Sequence, residues 1–99
     1  MYNELERIQE VFKIRKKRVE IFENEILKFE TLVKKQRLRH IFVLEDMRGK
    51  ESDEREVSIA TLKEERQRFE EDIEKIRQKG ETLLEEARKE LLEIEQYLP

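Results

Sequence analysis

The side chains that could carry chemistry in this 99-residue chain are few, and their spacing does not favour it. His40 is the single histidine and there is no cysteine. A protein zinc site needs three or four such ligands held together, so His40 reads as a packed or partly exposed side chain and no metal is expected. Ser52 and Ser58 lack the adjacent base that activates a hydroxyl nucleophile. Glu64-Glu65, Glu70-Glu71 and Glu85-Glu86 are carboxylate pairs. Sequence neighbours on a helix point about 100° apart, so these pairs do not converge on one substrate. A working acid and base also need a pocket that moves their pKa values. Phosphate loops, dinucleotide fingerprints and nucleophile elbows are absent from the sequence. The expectation is a protein with neither enzymatic activity nor cofactor.

Two basic clusters are the stronger signals. Lys13-Ile14-Arg15-Lys16-Lys17-Arg18 places five positive charges in six residues, and Lys34-Lys35-Gln36-Arg37-Leu38-Arg39-His40 adds four more. Such clusters can neutralise phosphates. The chain is nevertheless net acidic, at −3, and offers no interleaved aromatic platform. Nucleic acid is therefore an unlikely partner. A solvated face paired with acidic residues, or a protein-docking patch, fits better.

The elements that must position these residues follow from composition. The chain is 47% charged, with two glycines and with its one proline at position 99. Few breakers and abundant Glu, Lys, Arg and Leu are the composition of a coiled coil. Disorder is the competing reading of so much charge, but the apolar residues are periodic. Leu5, Ile8, Phe12, Arg15, Val19, Phe22, Ile26, Phe29, Val33, Gln36, His40, Val43 and Met47 follow 3-4 spacing, and ten of these thirteen are apolar. That is an a/d heptad seam. A second seam reads Ile59, Leu62, Arg66, Phe69, Ile73, Ile76, Gly80, Leu83 and Ala87. It then continues through Leu91, Ile94 and Leu98 after a one-residue stutter.

Between the seams, Gly49 can supply a left-handed helix stop, while Ser52 or Asp53 can cap a new helix, with Asp53 and Glu56 at capping-box spacing. The expected fold is all-α, a long antiparallel two-helix coiled-coil hairpin forming a single unit over residues 1–99. Helix 1 covers about 3–48, the turn about 49–53 and helix 2 about 54–97. Gly80 is expected inside a continuous helix, at a cost of about 1 kcal/mol. One uninterrupted helix and an intermolecular coiled coil are the alternatives.

Charge supports folding back. Residues 1–50 hold 13 Lys/Arg and 9 Asp/Glu, and residues 51–99 hold 9 and 16. Halves of opposite sign suit one another. Folding at residue 51 opposes Leu5 to Tyr97, Ile8 to Ile94, Val19 to Leu83, Ile26 to Ile76, Phe29 to Ile73, Val33 to Phe69 and Val43 to Ile59. It also sets Phe22 against Gly80, Arg15 against Ala87, Gln36 against Arg66 and His40 against Leu62. A parallel dimer would instead stack Arg15 on Arg15 in the seam, which like charges disfavour.

Some apolar residues fall off the seam: Ile14, Ile21, Leu27, Leu38, Ile41 and Phe42. Contiguous exposed apolar surface marks a partner site, so a foreign protein or a second copy is expected to cover it. The longest apolar run, Ile41-Phe42-Val43-Leu44, is far short of the roughly 20 residues that span a bilayer. The N-terminus is polar and lacks a secretory signal. Membrane insertion is not expected, and the reading is cytoplasmic.

The stretch Val11-Phe12-Lys13-Ile14-Arg15-Lys16-Lys17-Arg18-Val19-Glu20, preceded by the apolar heptad from Leu5, resembles the opening of the FliJ/YscO-type stalk proteins of flagellar and type III secretion export systems. The resemblance covers residues 5–20. It implies a long antiparallel two-helix coiled coil that works without catalysis, as an adaptor in protein transport that binds the export ATPase ring and the export gate or chaperones. It also implies contact roles for Arg15, Arg18 and Glu20. The candidate partner-binding set is thus Ile14, Arg15, Lys17, Arg18, Glu20, Ile21, Leu38, Ile41 and Phe42. The alternative is a structural scaffold or oligomerisation module of another assembly.

Overall fold

The computed structural model describes residues 3–49 and 52–99, without the side chains of residues 52–55 and 57. Two helices make up the hairpin: α1, Glu4–Arg48, and α2, Ser52–Glu95. Contacts between the two, such as Arg15 with Glu90 and Arg37 with Glu70, set aside the single-helix alternative. Asn3 caps α1, its Oδ1 accepting from the Glu6 backbone N–H at 2.8 Å, while its carbonyl accepts from Arg7 N–H at 3.2 Å. An N-cap of this kind satisfies donors that the first turn leaves open.

Gly49 ends α1 differently from expectation. No described glycine has positive φ, so the left-handed stop is not used. Instead Gly49 N–H donates to the Asp46 carbonyl at 3.3 Å, a tightened last turn that satisfies one terminal carbonyl. The expected Ser52 or Asp53 cap involves side chains outside the described residues. At the other end, Tyr97 N–H to Ile94 O and Leu98 N–H to Glu95 O, both 3.1 Å, close α2 in the same tight fashion. Gly80 lies within α2 as expected. Nearby, the Thr82 hydroxyl donates back to the Gln78 carbonyl at 2.9 Å, the mid-helix habit of threonine rather than a cap.

The helices contribute to two compact units. The terminal unit comprises Met1–Leu27 and Arg77–Pro99, and the turn-proximal unit comprises Lys28–Ile76. In each, the two helix segments run antiparallel.

In the terminal unit, Val19 and Ala87 are buried, and Phe22, Ile26, Gly80, Leu84, Leu91 and Ile94 are half-buried. A Cβ built on Gly80 would lie 3.8 Å from Ile26 Cγ1. The register is therefore one turn along from the expected pairing of Gly80 with Phe22. The same offset aligns the valine Val19 with the alanine Ala87, a large residue against a small one. Leu83, expected in the seam opposite Val19, is exposed, and Leu84 takes its place. Leu5 and Tyr97, expected to meet, are both exposed as well.

In the turn-proximal unit, Val33 and Ile73 are each only 2% exposed, and Leu62 and His40 are also buried. The ring of His40, expected opposite Leu62, lies edge-on against Phe69 with centroids 5.4 Å apart. Gln36 does not form the expected polar layer with Arg66; its amide is 3.4 Å from His40 Nε2 within α1. Ile76 and Val43 are exposed, and Leu44 turns inward in place of Val43. Arg77, the first α2 residue of the terminal unit, is half-buried where the neighbouring Ile76 is exposed. A long aliphatic stem can cover apolar surface. The break in 3-4 spacing thus falls at Phe69-Ile73-Arg77, earlier than the stutter expected near Ala87.

Candidate functional site

The basic run of residues 13–18 is split by helical geometry into three parts with different jobs. Arg15 sits on the seam, where its Nη1 donates to the Glu90 backbone carbonyl at 2.7 Å. The same nitrogen is 3.9 Å from the Glu93 carboxylate. Arg18 reaches α2 from the flank and donates to Glu90 Oε2 at 2.7 Å. Lys16 stays along its own helix, with Nζ 6.0 Å from the Phe12 ring centroid, in reach of a weak cation–π contact. Arg15 and Arg18, both candidates for partner contact, are thus engaged with α2. Lys17 and Glu20 are exposed.

Ile14 and Ile21 are about half exposed, as their place off the seam predicted. Together with Lys13, Lys17 and Arg18 they line a shallow surface groove. An apolar floor with a cationic rim suits a partner that brings both hydrocarbon and carboxylate. On another side of this unit, Arg88 Nη2 lies 3.6 Å from Glu23. The polarity there is reversed, with the acid on α1.

The other candidates gather in the turn-proximal unit. Leu38, Ile41 and Phe42 stand at i, i+3 and i+4 and so form one stripe on α1. All are exposed, Phe42 at 57%. Lys34 and Lys35, one turn earlier, are exposed on the same side. Between the stripe and α2, Arg37 makes a two-pronged bond to Glu70: Nε to Oε1 at 2.8 Å and Nη2 to Oε2 at 2.7 Å. Such forked pairs fix orientation as well as charge.

Leu32 was not among the sequence candidates. It is 63% exposed and lines a groove with Phe29, Val33, Gln36, Phe69, Lys35 and Arg39. Its signal was available: it sits one position before the buried Val33 and so cannot share its face. On α2, Leu92 is likewise exposed.

His40 is buried. Its Nε2 faces the Gln36 amide, and its Nδ1 is buried without a hydrogen-bond partner. Among the described residues, no group of three or more His, Cys, Asp or Glu side chains could hold a metal ion. No described helix is long and apolar enough to cross a membrane.

The fold and surface define an all-α helical hairpin whose outward faces carry apolar residues rimmed by lysine and arginine. Compared with protein-family models, curated proteins and solved structures, the chain gives no match.

Proposed function

We propose that this chain is a non-catalytic coiled-coil adaptor or stalk of a flagellar or type III secretion export apparatus, acting in the cytoplasm and binding the export ATPase together with the gate or chaperones. The observation that carries the binding role is the stripe of Leu38, Ile41 and Phe42. Three large apolar side chains are exposed side by side on a helix whose opposite face is already packed. Each is about half exposed, so leaving it in water forgoes burial energy of roughly 1 kcal/mol, and such surface is characteristic of interaction sites. Lys34 and Lys35 beside it favour a partner with carboxylates at its rim. The export assignment draws on the similarity of residues 11–20 to the stalk proteins, together with the helical hairpin that those proteins share.

The test is a pull-down of a secretion ATPase ring with the full chain, paired with its ATP hydrolysis rate. Retention of the ring and a changed rate are expected, and Leu38→Glu with Phe42→Glu should abolish both while the circular-dichroism helix signal is kept. No retention and an unchanged rate would count against the export role.

A further inference from the structure

We infer that the terminal unit pairs with a second copy of this chain through the face that carries Ile14, Arg18 and Ile21 on α1 and Leu83, Glu86 and Glu90 on α2. Both triplets follow helical spacing, i, i+4, i+7 and i, i+3, i+7, so each forms one stripe. The Arg18–Glu90 ion pair at 2.7 Å joins them and so puts both stripes on the same side of the unit. Ile14, Ile21 and Leu83 are 54%, 48% and 41% exposed. The face therefore has two apolar edges, one basic and one acidic.

That polarity chooses the occupant. Arg18 and Glu90 satisfy one another, so a foreign acidic helix would suit the Lys13 and Lys17 edge but would be repelled by Glu86. A basic helix would meet the converse problem. A second copy satisfies both edges at once. A two-fold axis along the helices, lying between the two faces, sets each α1 against the partner's α2, antiparallel to it. The basic edge then meets the acidic edge twice, as an isologous interface requires. The product is a four-helix bundle of the two terminal units in which each helix has antiparallel neighbours, and Ile14, Ile21 and Leu83 become core. On the other side of the unit the Glu23–Arg88 pair has the opposite polarity, with the acid on α1.

This pairing uses a different surface from the Leu38 stripe, which carries the binding role in the export reading. The test is light scattering on the full chain over a concentration series. A mass rising to twice 12.3 kDa is expected. Ile14→Glu with Ile21→Glu should return it to one chain's mass with helicity kept, since both sites are exposed, whereas Leu38→Glu with Phe42→Glu should leave the doubled mass intact. Added salt should weaken the pairing, because exposed charges are screened. A mass that stays at one chain throughout, or a dimer indifferent to the Ile14 and Ile21 changes, overturns the proposal. The arrangement is read separately by mixing two single-cysteine proteins, Ile21→Cys and Leu83→Cys, with a short bismaleimide. Cross-linked heterodimers should exceed either homodimer; Ile21-to-Ile21 dimers in excess would overturn the α1-to-α2 geometry.

Discussion

His40 meets Phe69 edge-on, with ring centroids 5.4 Å apart and planes at 86°. The contact places a polar ring in the packed layer of the turn-proximal unit, with Nδ1 buried and unpartnered. A buried polar atom left without a partner costs about 1–3 kcal/mol. His40→Leu keeps comparable bulk and removes that atom. It should raise stability by about 1 kcal/mol, which thermal unfolding would register as a rise of roughly 4–8 °C.

Gly80 offers a second gain. The methyl of an alanine would sit 3.8 Å from Ile26 Cγ1, an ordinary van der Waals contact, and alanine is better than glycine inside a helix by about 1 kcal/mol. Gly80→Ala is therefore expected to stabilise by about that amount in urea unfolding. Gly80→Phe should do the reverse, since a ring cannot fit where a methyl already touches Ile26.

Ile73 is the most sensitive position of α2, at 2% exposure. Ile73→Ala should cost about 2–4 kcal/mol through lost burial and the void left behind. Ile76→Ala, three residues on and exposed, should cost less than about 0.5 kcal/mol. Equal effects in a denaturant titration would restore the seam expected from periodicity and refute the one described.

Arg37 and Glu70 form a forked ion pair across the helices, with side chains 36% and 38% exposed. Partial exposure limits its worth. A double-mutant cycle with Arg37→Ala and Glu70→Ala should give a coupling of about 0.5–1 kcal/mol, shrinking as salt is added.

How much of this was legible beforehand depended on where apolar residues stand alone and where they stand together. From Ile8 to His40 the 3-4 spacing of α1 runs unbroken, so its buried face followed from spacing even with Ile14, Ile21, Leu27 and Leu32 standing beside it. At Leu83-Leu84 and along Ile41–Leu44, two adjacent residues serve the seam equally well in a pattern count. Packing chose Leu84 and Leu44. Arg77 defeated the pattern for another reason, since a binary hydrophobic count treats an arginine stem as polar. The interhelical register turned on matching volumes, Gly80 to Ile26 and Ala87 to Val19. Several offsets satisfy heptad periodicity, and only three-dimensional packing ranks them. Exposure of Ile14, Ile21, Leu38, Ile41 and Phe42 was legible from the helical wheel. The engagement of Arg15 and Arg18 with Glu90 was not, because the reach of a long side chain depends on the offset between helices.

Arg15 grips the main-chain oxygen of Glu90 rather than its carboxylate. Every residue type presents that oxygen, so the latch is blind to what occupies position 90. The charge pattern on the outside of α2 could drift, or be redesigned to suit a different partner, while the arginine still marks how far one helix has slid along the other. Position 15 cannot drift so freely. This one latch of the terminal unit thus takes its side chain from α1 and only backbone from α2.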